Sequence, residues 1–166
     1  GRIQVVVGQP TGMDSAGVDR IILGLGLVGG IEGFRHLAHV DVEATPTADV
    51  VRLLDALADL PRGPGVGLDM LWRYFYRANN APAPAFDPLL VDRARTLLSR
   101  LEMDDLGQIR DSVMGALARA VLAGEAGRET AAVVSRKVYA AHMARGGWKR
   151  EGHGLVEALF ETQPQL

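Results

Sequence analysis

The chain has 166 residues, of which 48% are hydrophobic and 23% are charged, and this size and composition are typical of one globular domain with a real core. Its net charge of −2, from 18 basic and 20 acidic side chains, gives no reason to expect nucleic-acid binding, which depends mainly on neutralising phosphates. Cysteine is absent, which excludes disulfides, thiolate catalysis and cysteine zinc sites and favours a reducing, cytoplasmic compartment.

The N-terminal segment differs from the rest of the chain. Residues 2–7 have the β-branched content and alternation of a strand, and Met13 has the character of an initiator. We therefore treat residues 1–12 as a strand element or extension, native or artificial, and residues 13–166 as a single helical domain. No charged stretch followed by a cleavage site begins the chain, so we do not expect a secretory signal.

Residues 20–43 allow two interpretations. Asp14 or Ser15 could cap a helix, although each glycine inside it would cost about 1 kcal/mol relative to alanine. The alternative is a strand over residues 20–23 followed by a glycine turn. The apolar run over residues 21–31 is shorter than the roughly 20 residues of a membrane-spanning helix, so we expect no membrane segment.

From Pro46 onward the sequence predicts amphipathic helices that end at proline or glycine. Thr47 is the predicted N-cap of the first helix, and Pro61 ends it. A hinge over residues 61–65 precedes a second helix that ends near Asn79. The apolar positions at helical spacing are Val50, Leu53, Leu54, Leu57 and Leu60 in the first helix, and Leu68, Leu71, Trp72 and Phe75 in the second.

The second half of the chain continues this pattern. After a loop over residues 81–85, Asp87 and Pro88 form a typical helix start, and Asp104 or Asp105 is predicted to open the next helix, with Gly124 as its stop. Further helices are predicted over residues 129–145 and 154–162. The expected fold is mainly α: a single-domain bundle of about six or seven helices with a short N-terminal strand element.

The segment from Gly24 to Gly29 matches the pattern GxGxxG through Gly24, Gly26 and Gly29. In dinucleotide-binding domains these glycines allow a tight strand-to-helix turn and close approach of the backbone to pyrophosphate, and Asp41 or Glu43 lies near the expected ribose-binding position. A full dinucleotide fold needs further parallel strands, and the sequence after residue 42 predicts none. Close helix packing or a flexible turn is the preferred interpretation, so no cofactor is expected.

A candidate metal cluster lies in the same region. On a helix, Glu32, His36 and His39 would face one point, and Asp41 and Glu43 follow closely; imidazole and carboxylate groups suit zinc, iron or manganese. Such pairs arise readily by chance, and histidine near a helix C-terminus is favourable because of the helix dipole. We therefore prefer a structural role and predict no metal site.

Residues 72–77 hold four of the nine aromatic side chains of the chain. Trp72 is assigned to the buried stripe with Phe75, and the other members project elsewhere. Tyrosine, tryptophan and arginine are enriched at interaction hot spots because they combine a large rigid area with polar groups. The alternative is a core anchor with snorkelling neighbours. The predicted partner-binding residues are Trp72, Arg73, Tyr74, Tyr76 and Arg77.

Two groups of charged side chains, one basic and one acidic, are expected to have no specific function. The basic residues around Trp148 are expected to form a solvated face, and Glu102, Asp104 and Asp105 are expected to be helix-capping charges. The serines lack a nucleophile-elbow context, so nothing supports a hydrolase triad. The basic group consists of Arg136, Lys137, Arg145, Lys149 and Arg150.

These patterns favour a non-enzymatic helical module that binds another protein or a second copy of itself, in interaction or regulation. Arginine far outnumbers lysine among the basic residues, which indicates a GC-rich, bacterial genome. The alternative function is a small nucleotide- or metal-binding enzyme or sensor that uses the Gly24–Gly29 segment or the pair His36 and His39. Weak nucleic-acid binding through the C-terminal basic group is a third possibility, which predicts a steep salt dependence.

Overall fold

The computed structural model of the chain describes residues 12–28, 37, 39–79, 86–108, 111–145 and 153–165. Within these ranges the fold is mainly α and contains no strand, which confirms the predicted helical bundle, while the predicted strand at residues 2–7 lies outside them. The helices are α1 (Ser15–Val28), α2 (Thr47–Ala58), α3 (Gly63–Asn79), α4 (Pro88–Arg100), a 3₁₀ helix (Met103–Gln108), α5 (Asp111–Leu122), α6 (Gly124–Arg145) and α7 (His153–Thr162).

The core is built around α5, which contacts α3, α4, α6 and α7. Its most extensive contact is with α7, and this pair approaches closely at glycine: a Cβ atom added to Gly115 would lie 3.2 Å from the backbone oxygen of Gly154. A second layer is formed by α2, which packs against α1, α3 and α4. Buried leucine, valine and alanine side chains from all seven helices form one continuous cluster, as the stripes predicted.

The α4 helix follows its sequence prediction closely. The Asp87 side chain accepts a hydrogen bond from the backbone N–H of Leu89 at 2.9 Å, and Pro88 occupies the first turn, where its missing N–H costs nothing. The whole predicted stripe is buried: Leu90, Ala94, Leu97, Leu98 and Leu101.

Of the two interpretations of residues 20–43, the helical one is correct up to Val28, where α1 ends. It is continuous over Ser15–Val28, so the strand predicted as the alternative for residues 20–23 does not form. Asp14 is the cap, since its carboxylate accepts from the N–H of Gly17 at 2.8 Å. The buried Val18, Ile21 and Leu25 recur at helical spacing, and their burial compensates for the glycines.

Several helix boundaries differ from the predicted ones. Pro46, not Thr47, is the N-cap of α2, and α3 begins already at Gly63 inside the predicted hinge. Asp104 and Asp105 lie in the 3₁₀ helix, and α5 starts only at Asp111. The N–H of Asp105 bonds to the carbonyl of Glu102 at 2.9 Å, the i to i+3 pattern that shortens a turn.

Polar side chains donate hydrogen bonds to backbone carbonyl groups at helix ends, which have no partner within their own helix. Lys137 of α6 donates to the carbonyls of Ser99 and Leu101 at the end of α4, at 2.5 and 3.2 Å. Arg95 donates to the carbonyl of Val121 at the end of α5 at 2.8 Å. Gly124, the predicted stop, is the first residue of α6 and has φ of 74°, the left-handed conformation that favours glycine after a helix end.

Arginine–carboxylate pairs join neighbouring helices at the surface. Arg52 of α2 pairs with Asp19 of α1, and Arg119 of α5 pairs with Glu161 of α7 at 2.5 Å. Two arginines of α4 reach carboxylates next to or within α2 in the same way: Arg93 pairs with Asp55 at 2.8 Å, and Arg100 pairs with Asp59 at 2.6 Å. Exposed pairs of this kind add little stability individually, but they define which helix faces meet.

The described helices include none with both the length and the hydropathy of a membrane span.

Candidate interaction surface

The C-terminal half of α3 carries both a core anchor and an outer surface. Leu68, Leu71 and Phe75 are fully buried at spacings of three and four residues, which fixes the orientation of the helix. This orientation places Trp72 and Tyr76 on the outside, one turn apart. Trp72 is half-buried rather than part of the core as predicted, and Tyr76 is 46% exposed.

Trp72 contacts both Arg73 and Tyr76, and we call these three residues the tryptophan–arginine surface. The two rings meet edge to face with centroids 6.0 Å apart, and the Arg73 guanidinium carbon lies 5.3 Å from the centre of the Trp72 ring. Both contacts are favourable for electrostatic reasons, since a ring has a negative face and a positive edge. The Trp72 ring therefore has a favourable contact with each of the other two side chains.

Arg73 makes no ion pair with a described residue. Its Nη1 atom is buried and has no hydrogen-bond acceptor. An unpaired buried donor costs free energy, on the order of 1–3 kcal/mol, and because this atom is buried a second molecule cannot reach it in the arrangement shown. Arg73 therefore differs from the arginines of the interhelical pairs, which bind carboxylates.

A small cleft lies beside Arg73. Among the described residues it is lined by Met70, Arg73 and Tyr74 on one side and by residues 40–43 on the other, and it has room for about one water molecule. A nucleotide would need a pocket of several hundred Å³. Asp41, which with Glu43 was a candidate ribose-binding acid under the disfavoured dinucleotide interpretation, accepts the backbone N–H groups of Glu43 and Ala44 at 3.0 and 3.3 Å and so stabilises a turn.

Tyr74 has a structural role inside the fold. Its hydroxyl accepts a hydrogen bond from the N–H of Asp87 at 2.6 Å, which ties the start of α4 to α3. Its ring packs edge to face against Phe75 at 5.0 Å and Phe86 at 5.8 Å. Of the predicted partner-binding residues, Trp72, Arg73 and Tyr76 are therefore together on the outside, Tyr74 packs inward, and the side chain of Arg77 is not among those described.

The glycine motif does not have the backbone that dinucleotide binding requires. Gly24 and Gly26 lie inside α1, whereas the fingerprint needs a strand followed by a tight turn. Gly29 lies outside the described residues. A flexible turn at Gly24 and Gly26 is likewise not formed, because α1 continues through both.

The candidate metal cluster, which the sequence analysis did not favour, can be followed only at three of its members. Glu32 and His36 lie outside the described ranges, while His39, Asp41 and Glu43 lie within them. Within those ranges, no group of three or more histidine, aspartate or glutamate side chains is placed to hold a metal ion.

Two side chains of the C-terminal basic group, Arg136 and Lys137, are described. Lys137 is used at the end of α4, while Arg136 is exposed on α6. The side chains at residues 145–150 are not described. Two exposed apolar side chains that adjoin this group were not predicted from the sequence: Tyr139 is 64% and Met143 62% exposed on the same helix. Their spacing of four, on the side opposite Val134 and Val138, is the signal that could have indicated them.

Comparison with known proteins gives no match: no family model fits the chain, and no curated protein or solved structure is significantly similar to it.

Proposed function

We propose that this chain is a non-enzymatic helical interaction module that binds another protein through the tryptophan–arginine surface. The observation that carries the proposal is the pair of adjoining rings, Trp72 and the exposed Tyr76, with the guanidinium of Arg73 on the Trp72 ring. Rigid aromatic area beside an arginine is the composition of interaction hot spots. A partner would place an apolar group on the two rings and a carbonyl or carboxylate oxygen on Arg73.

A regulatory role inside a bacterial cytoplasm is part of the same proposal. The absence of cysteine supports a reducing compartment, and the arginine-rich composition supports a bacterial source.

The partner can be identified by crosslinking at the surface itself. A photoreactive phenylalanine analogue in place of Tyr76, expressed in the host of the protein, should crosslink a protein that the same analogue at Leu89 does not. Leu89 is a matched control because it is 52% exposed but lies on α4.

Variants then test whether the surface binds what the crosslink captures. We expect R73A/Y76A/R77A to keep the helical circular dichroism spectrum and to lose capture of the partner, whereas L89A should keep both. Arg73→Lys should bind with intermediate strength, because lysine keeps the charge but not the planar stacking on Trp72. Undiminished capture by the triple variant would exclude this surface, and stoichiometric binding of NAD(H) or a metal ion by the folded protein would favour the alternative function.

A further inference from the structure

The outer side of α6 carries a regular stripe of exposed or half-exposed residues. Its members are separated by four, three, four, three and four positions, the spacing with which helices pair side by side. The opposite side of α6, with Ala131, Val134 and Val138, is buried in the bundle. The stripe consists of Glu125, Glu129, Ala132, Arg136, Tyr139 and Met143.

The stripe contains apolar area that the bundle does not cover. Tyr139 and Met143 are each more than 60% exposed, and they are neighbours one turn apart. Ala132, at the middle of the stripe, is small enough to allow another helix backbone to approach. Large exposed side chains that adjoin each other are typical of contact surfaces, whereas single ones are common everywhere.

Two charges of the stripe are left unpaired in a self-complementary pattern. Glu129 and Arg136 are both exposed, lie about 10 Å apart along the helix, and make no ion pair or hydrogen bond with a described residue. Other charges on α6 are engaged within the chain: Arg128 pairs with Glu125 at 2.9 Å, and Lys137 binds the end of α4.

We propose that α6 pairs with α6 of a second copy of this chain, antiparallel, about a two-fold axis near Ala132. In this arrangement Glu129 of each copy meets Arg136 of the other, and the contact occurs twice because a two-fold interface is reciprocal. Tyr139 of each copy covers the first turns of the other helix, next to Ala126. A parallel pair would instead place glutamate on glutamate and arginine on arginine, so the charges select the antiparallel direction.

This pairing is independent of the proposed function, because it uses a different helix and a different partner. The apolar contact is small, so the dimer should be weak and dependent on concentration. Sedimentation velocity of the wild-type chain over a wide concentration range should show conversion from monomer to dimer.

Charge reversal tests the arrangement. Glu129→Arg and Arg136→Glu should each raise the dimer dissociation constant by roughly tenfold or more, because each creates like-charge contacts at both ends of the interface. The double variant E129R/R136E should restore the wild-type value, since the pairs are re-formed with exchanged signs. Asp92→Arg on α4 is the control reversal and should leave the dissociation constant unchanged.

The apolar part of the stripe has its own test. Y139A/M143A should abolish the dimer while the circular dichroism spectrum stays the same, because both side chains are exposed in the single chain. A wild-type chain that remains monomeric at all concentrations would overturn the proposal. So would a double variant E129R/R136E that dimerises no better than either single reversal.

Discussion

The helices α5 and α6 follow each other directly in the chain, yet they hold opposite positions in the bundle. Five consecutive residues of α5, Met114 to Ala118, are buried, because neighbouring helices surround this segment. The α6 helix packs on one side only and exposes a stripe with Tyr139 and Met143 on the other.

The difference assigns two separate roles to these adjacent helices: α5 stabilises the fold, and the outer side of α6 is available for association. A helix that has no polar side in its middle must be surrounded by other helices, so substitutions in α5 should lower the free energy of unfolding. A helix with one buried side leaves the other available for contacts, so changes on the outside of α6 should act on association. Substitutions in the two helices test this division between stability and association, beginning with the largest expected effect.

Removing a buried side chain from α5 should cost the most. Leu117 is 2% exposed, and Leu117→Ala should lower the free energy of unfolding by about 2–5 kcal/mol, through lost burial and the cavity left behind. The matched change in α6 is Tyr139→Ala, which should change it by no more than about 0.5 kcal/mol. Urea unfolding at low protein concentration measures both, and equal losses in the two variants would contradict the division.

Glycine at the junction of the two helices should be the next most sensitive position. A Cβ atom added to Gly127 would lie 2.1 Å from the backbone oxygen of Leu122, an atom that cannot move aside as a side chain can. We expect Gly127→Ala to destabilise the fold by about 1–3 kcal/mol despite the better helix propensity of alanine.

Gly65 in α3 provides the control for this substitution. Its added Cβ would be 3.8 Å from the nearest atoms, an ordinary contact, so Gly65→Ala should be neutral or stabilising by up to about 1 kcal/mol. Thermal unfolding of the two variants should therefore show shifts in opposite directions. A stabilised Gly127→Ala would mean that α5 and α6 are not held in the close arrangement described.

Helix boundaries were predicted correctly where neighbouring residues alone determine them, and wrongly where tertiary packing does. In α4 the Asp87–Pro88 start and the leucine stripe are local signals, and both were confirmed. The start of α5 was predicted too early, because residues near Asp105 pack as a 3₁₀ turn in which that carboxylate is itself buried. Local propensity does not contain that tertiary constraint.

The residues of the candidate surface could be predicted from the sequence, but the extent to which each is buried could not. Helical spacing placed Trp72 and Phe75 on one apolar arc, but it could not show that the bundle covers Phe75 fully and Trp72 only in part. Tyr74 was expected outside and packs inward, because its hydroxyl finds the N–H of Asp87 across the loop. The GxGxxG match failed for the opposite reason: a local pattern was present, but α1 continues through Gly24 and Gly26 as a helix.

The smallest expected effect concerns the ion pair between α5 and α7. A hydrogen bond from Arg119, supported by its charge and only partly opposed by desolvation, lowers the pKa of Glu161 below its ordinary value. A carboxyl group whose pKa is lower in the folded than in the unfolded state adds stability above the unfolded pKa, and this contribution is lost as the pH falls through the folded pKa.

Comparison of the wild type with Glu161→Gln should therefore give a small difference in the urea midpoint at neutral pH. The difference should disappear well below the pKa of an ordinary glutamate, about 4.3. Glu157→Gln is the matched control, because Glu157 lies 3.9 Å from the same guanidinium, too far for a hydrogen bond. Its difference at neutral pH should be smaller still. A Glu161→Gln difference that persists unchanged in acid would show that the pair contributes through packing of α5 on α7 rather than through charge.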